Sequence, residues 1–152
     1  MPKASVKRLI ECKKNQLIEL VLDIERYPEF VPFCFDAKIY DIREEKNSRK
    51  IIADLTIGKG PFKDTYKSDV TFNKEKDSIF VKNIDGPLNY LSNNWIFKKV
   101  DENRTEIIFD IDFEIKNKFL NTLMIMSFKL GLEKIADAFQ KRANDLFNNS
   151  WN

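Results

Sequence analysis

The chain contains no histidine at all, and only 4 glycines and 2 cysteines among its 152 residues. Without histidine, the commonest general base and the commonest metal ligand are both missing. Four scattered glycines cannot build a glycine-rich phosphate loop. Cys12 and Cys34 have no CxxC spacing and too few companions for a zinc site. They read as two buried reduced thiols, which fits a reducing compartment; a disulfide between them is the alternative. No charge of one sign dominates, since 26 basic residues face 24 acidic ones and the net charge is +2. With no basic stripe, direct binding to DNA is disfavoured. No window of about 18 uncharged apolar residues exists, so no segment spans a membrane. Met1-Pro2-Lys3 leads straight into a strand-like segment, with no export signal.

What is present is an ordinary globular composition, 43% apolar and 33% charged, with an unusual 13 phenylalanines. The length suits one domain spanning 1–152. Ala4–Ile10 reads as a strand. Asn15 is a candidate cap for a helix with Leu17, Ile18, Val21 and Leu22 on its apolar face. Pro28 and Pro32 bound a short second helix, Glu25–Val31.

Period-2 segments follow. The residues expected to face inward are Phe35, Ala37 and Ile39; Ala53, Leu55 and Ile57; Tyr66, Ser68, Val70 and Phe72; Ile79 and Val81; Trp95 and Phe97; and alternate residues from Ile107 to Ile115. This pattern marks an antiparallel sheet wet on one face. Turn-forming residues separate the segments, at Asn47-Ser48, Gly58–Pro61, Lys74–Asp77, Asp85-Gly86-Pro87 and Asp101–Asn103.

The last segment, Asn117–Asn149, reads as one long helix of two characters. Its second half is amphipathic, with Ile135, Phe139, Ala143 and Leu146 on one side, whereas Phe119–Leu132 is apolar nearly all round. A helix covering a sheet needs only an apolar stripe. The extra apolar surface, at Met124, Met126, Phe128 and Leu130, calls for a lipid, a membrane or a partner chain. The class is therefore α+β, a curved antiparallel sheet of about seven strands wrapped around a long C-terminal helix, with two short helices after the first strand.

In that order, with Glu25-Arg26-Tyr27-Pro28-Glu29-Phe30-Val31-Pro32-Phe33-Cys34, Ala53–Gly58, Thr65–Val70, Asp85-Gly86-Pro87-Leu88, Asn94–Phe97 and Ala138–Ala143, the chain resembles the START-like superfamily. Within it, the resemblance is to the coenzyme Q-binding proteins and the RatA-type ribosome association toxins of the polyketide cyclase/dehydrase and lipid transport group. Phe33 stands where that family often has Trp, and Leu88 where an aromatic is common. The resemblance implies a helix-grip fold with an internal apolar tunnel that holds ubiquinone or a similar prenyl lipid in support of respiration. For RatA-type members it implies contact with ribosomal subunits instead.

The candidate lining residues are Leu55, Ile57, Phe62, Tyr66, Val70, Phe72, Trp95, Phe97, Phe109, Ile111, Phe113, Leu123, Met124, Phe128 and Leu132. For each alone, ordinary core packing is the simpler reading; as a set facing one helix they suit an apolar cavity. Tyr66, Ser68 and Trp95 carry its few polar handles. Tyr27–Phe33 reads as a proline-set corner and Gly58–Phe62 as a lip. Asp54, Asp69, Asp110, Asp112 and Glu114 fall on the wet face, where they read as a solvated stripe facing lysines rather than as catalysts. No catalytic residue, metal or cofactor is assigned. The carrier reading implies a hydrophobic small-molecule ligand, a cytoplasmic location and peripheral contact with a bacterial inner membrane. The alternative is binding to the large ribosomal subunit. The apolar helix face is equally a candidate dimer seam.

Overall fold

A computed structural model describes residues 3–59 and 61–147; of residues 3, 59, 62, 120 and 123–130 it describes the backbone alone. The chain runs β1 (Lys3–Ile10), α1 (Lys14–Leu22), a 3-10 helix (Ile24–Glu29), β2 (Cys34–Glu44), β3 (Ser48–Lys59), β4 (Phe62–Asn73), β5 (Ser78–Asp85), β6 (Leu88–Asp101), β7 (Arg104–Ile115) and α2 (Lys118–Phe147). The seven strands form one sheet in the order β1-β7-β6-β5-β4-β3-β2, antiparallel throughout. Both short helices and α2 pack on its concave side. This is the seven-stranded helix-grip arrangement that the alternation predicts.

The turns use the chemistry their residues offer. Asn73 Oδ1 accepts the N–H groups of Glu75 and Lys76, at 3.1 and 3.0 Å. Asp101 Oδ1 accepts from the Asn103 N–H at 2.9 Å. At the start of α2, Asn121 Oδ1 accepts the Ile115 N–H at 3.0 Å, tying the helix to the end of β7.

Three expectations need correction. Phe35 does not face inward but is 46% exposed, because the β2–β3 register shifts between Cys34 and Asp36. Lys63 stands 4.0 Å over its ring instead. A second shift, between Ile39 and Asp41, falls at Tyr40. Asn15 does not cap α1, which begins at Lys14 with Lys13 in the cap position and no side-chain cap. The second short helix is a 3-10 helix ending at Glu29, with Pro28 inside it.

The second half of α2 buries Leu132, Ala136, Phe139 and Ala143, a stripe with helical spacing. Phe139 is the pivot. Its ring meets Trp95 at 5.0 Å, Phe30 at 5.1 Å and Tyr27 at 5.5 Å, in each case edge-on. Arg8 on β1 fixes the same part of the helix by donating to Glu133 and Asp137 at 2.6 Å and to Gln140 at 3.2 Å. Arg142 completes the clamp, bonding Glu29 at 2.8 Å with its guanidinium 4.9 Å over Phe30.

Phe139→Ala should lower unfolding free energy by about 3–5 kcal/mol, because it removes an aromatic that is only 2% exposed. Phe119→Ala, on the same helix but at a residue 64% exposed, should change it by less than about 0.5 kcal/mol. Urea unfolding of the two variants against the parent chain checks both.

Candidate functional site on the concave face

The concave face of the sheet is sealed at one end. There Ile51, Val70, Phe72, Ile79, Trp95, Phe97, Ile107 and Phe109 are all buried, in one cluster with the apolar face of α1 and the second half of α2. Toward the other end, Leu88, Leu91 and Phe113 form a separate small cluster. Tyr66, Val81 and Ile111 touch both clusters and are only half-buried. Val81 pairs with Val70 and Asn93, and Ile111 pairs with Ala4 and Asn93. Both therefore stand on inner strands, on the side facing the helix. In a closely packed layer pair such positions lose their accessible surface; here they keep part of it.

The predicted residues divide accordingly. Leu55, Val70, Phe72, Trp95, Phe97, Phe109 and Leu132 belong to the large core cluster, and Phe113 to the small one. Ile57, Tyr66 and Ile111 are half-buried. The side chains of Phe62, Leu123, Met124 and Phe128 lie outside the described residues, as do those of Met126 and Leu130. Phe72, Trp95, Phe97 and Phe109 pack at the sealed end, with Trp95 4.3 Å from Phe109 and stacked at 6.3 Å on Phe97.

Sequence reasoning missed Leu88, Leu91 and Asn93. β6 is 14 residues long and begins well before Trp95, but the polar pair Asn93-Asn94 masks the alternation through Leu91, Asn93 and Trp95. Asn93 is a buried polar inward residue. Its Nδ2 donates to the Asp110 carbonyl at 2.7 Å, and its Oδ1 accepts from Trp95 Nε1 at 3.0 Å. The Trp95 handle is thus used inside the protein. The same holds for Ser68, which donates to the Ala53 carbonyl at 3.1 Å. Asn83 donates to the Leu88 carbonyl at 3.2 Å and accepts the Leu91 N–H at 2.8 Å. Of the three handles expected from sequence, only the Tyr66 hydroxyl makes no hydrogen bond among the described residues.

Burial and the neighbouring Cys34 thiol push the Tyr66 phenol above its ordinary value. Burial drives the Tyr27 phenol up too, with Tyr66 and Cys34 as further causes, and Tyr27 donates to the Val21 carbonyl. Both cysteines are free and buried, each pushed up to about 11, by burial first, so their thiols are protonated near neutral pH. Among the described residues, no group of three His, Cys, Asp or Glu side chains is placed to hold a metal. The predicted acidic stripe lies on the convex side. There Asp54 accepts from the Tyr40 hydroxyl at 2.7 Å, Asp112 from the Tyr90 hydroxyl at 3.2 Å, and Glu114 from Asn89 Nδ2 at 2.7 Å. No described helix is long and apolar enough to cross a membrane.

Gly86 sets the position of Tyr66. It lies in the β5–β6 turn at φ +129°, and a Cβ there would come within 2.8 Å of Tyr66 Cα and Cβ and 3.0 Å of the Thr65 carbonyl. The turn can close on β4 only without a side chain.

With this geometry in view, the comparisons are informative. The profile of the family described as polyketide cyclase / dehydrase and lipid transport matches residues 10–140. The mitochondrial coenzyme Q-binding protein COQ10 of Dictyostelium discoideum is 33% identical over 138 residues, covering 90% of this chain and 66% of that protein. The ribosome association toxin RatA of Rickettsia prowazekii is 30% identical over 142 residues, covering 91% of this chain and 94% of the toxin. A START superfamily protein from Mycobacterium smegmatis superposes with a TM-score of 0.79 at 16% identity, covering 95% of this chain and 98% of that one. That last likeness concerns the fold alone.

Gly86→Ala should cost on the order of 2 kcal/mol in stability, from the strained φ and the close approach to β4. Gly131→Ala, in α2, should be neutral or stabilising by up to about 1 kcal/mol, since its Cβ would meet Phe33 Cε2 at an ordinary 3.5 Å. Thermal melting of the two variants distinguishes the glycine that is required from the one that is not.

Proposed function

The chain belongs to the polyketide cyclase / dehydrase and lipid transport family, and from that premise we propose that it is a non-catalytic carrier for ubiquinone or a related prenyl lipid. The lipid lies between the concave face of the sheet and the first half of α2. The observation that carries this reading is the accessible surface kept by Tyr66, Val81 and Ile111 on inner strands, beside the separate cluster of Leu88, Leu91 and Phe113. Burying apolar ligand surface there is worth about 25 cal/mol per Å², so a prenyl tail supplies affinity without a charged contact.

Transfer requires no bond to be made or broken. The tail leaves the bilayer, enters the apolar space and is shielded from water, with the protein working in the cytoplasm and touching the membrane surface only in passing. The site's composition suits this role better than catalysis. It has no histidine, its described carboxylates face away on the convex side, and its Cys34 thiol is held protonated. The similarity to a protein named for binding coenzyme Q points to the class of lipid.

A second reading, binding to the large ribosomal subunit, is favoured by one fact: this chain covers 94% of the RatA relative but only 66% of the coenzyme Q-binding one. Such binding would weaken steeply with salt.

Native mass spectrometry of the chain purified from a quinone-producing host tests the primary reading. The expected result is one prenyl lipid per chain, with occupancy at least tenfold lower in Val81→Trp, whose indole fills the space. A chain that comes out empty and takes up no added ubiquinone contradicts the carrier reading. Salt-sensitive co-sedimentation with ribosomal subunits would then support the second.

A further inference from the structure

We infer that the Tyr66 hydroxyl is the head-group donor of this site, and that the lipid it selects carries a neutral oxygen acceptor on its ring. The inference rests on the lipid-binding reading and narrows it. Quinones fit, whereas lipids with charged heads and bare hydrocarbons do not.

The argument begins with accounting for polar groups. Buried polar atoms are almost always hydrogen-bonded, and an orphaned one costs about 1–3 kcal/mol. On the concave face Ser68, Asn83, Asn93 and Trp95 all have partners within the protein. Thr105, at the sealed end, donates to the Cys12 carbonyl at 2.8 Å. Tyr66 stands alone in making no hydrogen bond to any described residue. Phenylalanine would fill the same space without an orphan. A phenol that is half-buried, unpartnered and placed where the two apolar clusters meet is explained by a partner that arrives with the ligand.

The surroundings define that partner. Around Tyr66 the inward side chains are Leu55, Ile57, Val81, Ile111 and Phe113, all uncharged. The charged side chain on this face, Arg8, sits on the edge strand and is engaged by Glu133, Asp137 and Gln140. An anionic or cationic head would thus be desolvated with no countercharge. A ring carbonyl needs one donor, and the neutral phenol supplies it. Gly86 acts as the positioning residue, because the turn it permits packs directly on the Tyr66 backbone.

The test is equilibrium binding to the full chain and to Tyr66→Phe. The probes are a short-chain ubiquinone with two isoprene units, read by quenching of tryptophan fluorescence, and geranylbenzene, the same tail without oxygens, read by competition. Tyr66→Phe removes an unpaired hydroxyl, so its melting temperature should equal or exceed that of the parent, which keeps folding out of the comparison. The expected result is a three- to tenfold weaker affinity for the quinone, about the worth of one neutral hydrogen bond, with geranylbenzene unaffected. Equal quinone affinity in both proteins overturns the assignment and leaves the carrier reading standing. An equal loss for both probes also overturns it, because Tyr66 would then be acting through packing. If the parent chain binds neither probe, the carrier reading falls and this inference falls with it.

Discussion

The docking of Phe139 among Trp95, Phe30 and Tyr27 fixes where α2 sits, and much of the remaining architecture follows from that contact. The ring anchors the second half of the helix on the sheet, with Arg8 and Arg142 holding either side. A helix of 30 residues is about 45 Å long and close to straight, while the sheet beneath it curves. Contact at one end therefore leaves the other end under-filled unless side chains make up the difference. The inner-strand residues Val81 and Ile111, which keep accessible surface, mark where they do not.

This division between a packed end and a loose end explains why so many aromatics serve structure rather than binding. Trp95, Phe97, Phe109 and Phe72 make the sealed core against which α1 and α2 rest. Their worth is rigidity, since a rigid sealed end lets the rest of the concave face tolerate space without collapse. The polar groups follow the same logic. Nearly all are satisfied internally, so the chemistry left for a ligand is mostly apolar. That suits the lipid-transport side of the family better than its cyclase and dehydrase side.

Much of this was legible in the sequence. Period-2 alternation from Ala53 to Ile57 and from Ile107 to Ile115 reports the inward face faithfully, because antiparallel pairing at constant register preserves parity. It fails at Phe35, since a bulge reverses parity and leaves no signature in residue type. It also fails at Asn93, whose polar side chain hides an inward position that only the Trp95 and Asp110 contacts make affordable. The lining set was over-inclusive for a related reason: an inward aromatic has the same pattern whether it meets a helix or a cavity, and only the placement of Phe139 separates the two. The handles Tyr66, Ser68 and Trp95 look alike in sequence, and their hydrogen bonds are what tell them apart.

The most direct test of the central claim, that one end of the concave face is sealed and the other receives an apolar molecule, is methyl NMR of the chain labelled at Ile, Leu and Val with a prenyl quinone added. Intermolecular contacts from the tail are expected at Ile57, Val81, Leu91 and Ile111, with Ile51, Ile79 and Ile107 silent. Contacts confined to that second group, or to outward-facing methyls such as Ile96 and Ile108, would contradict the account.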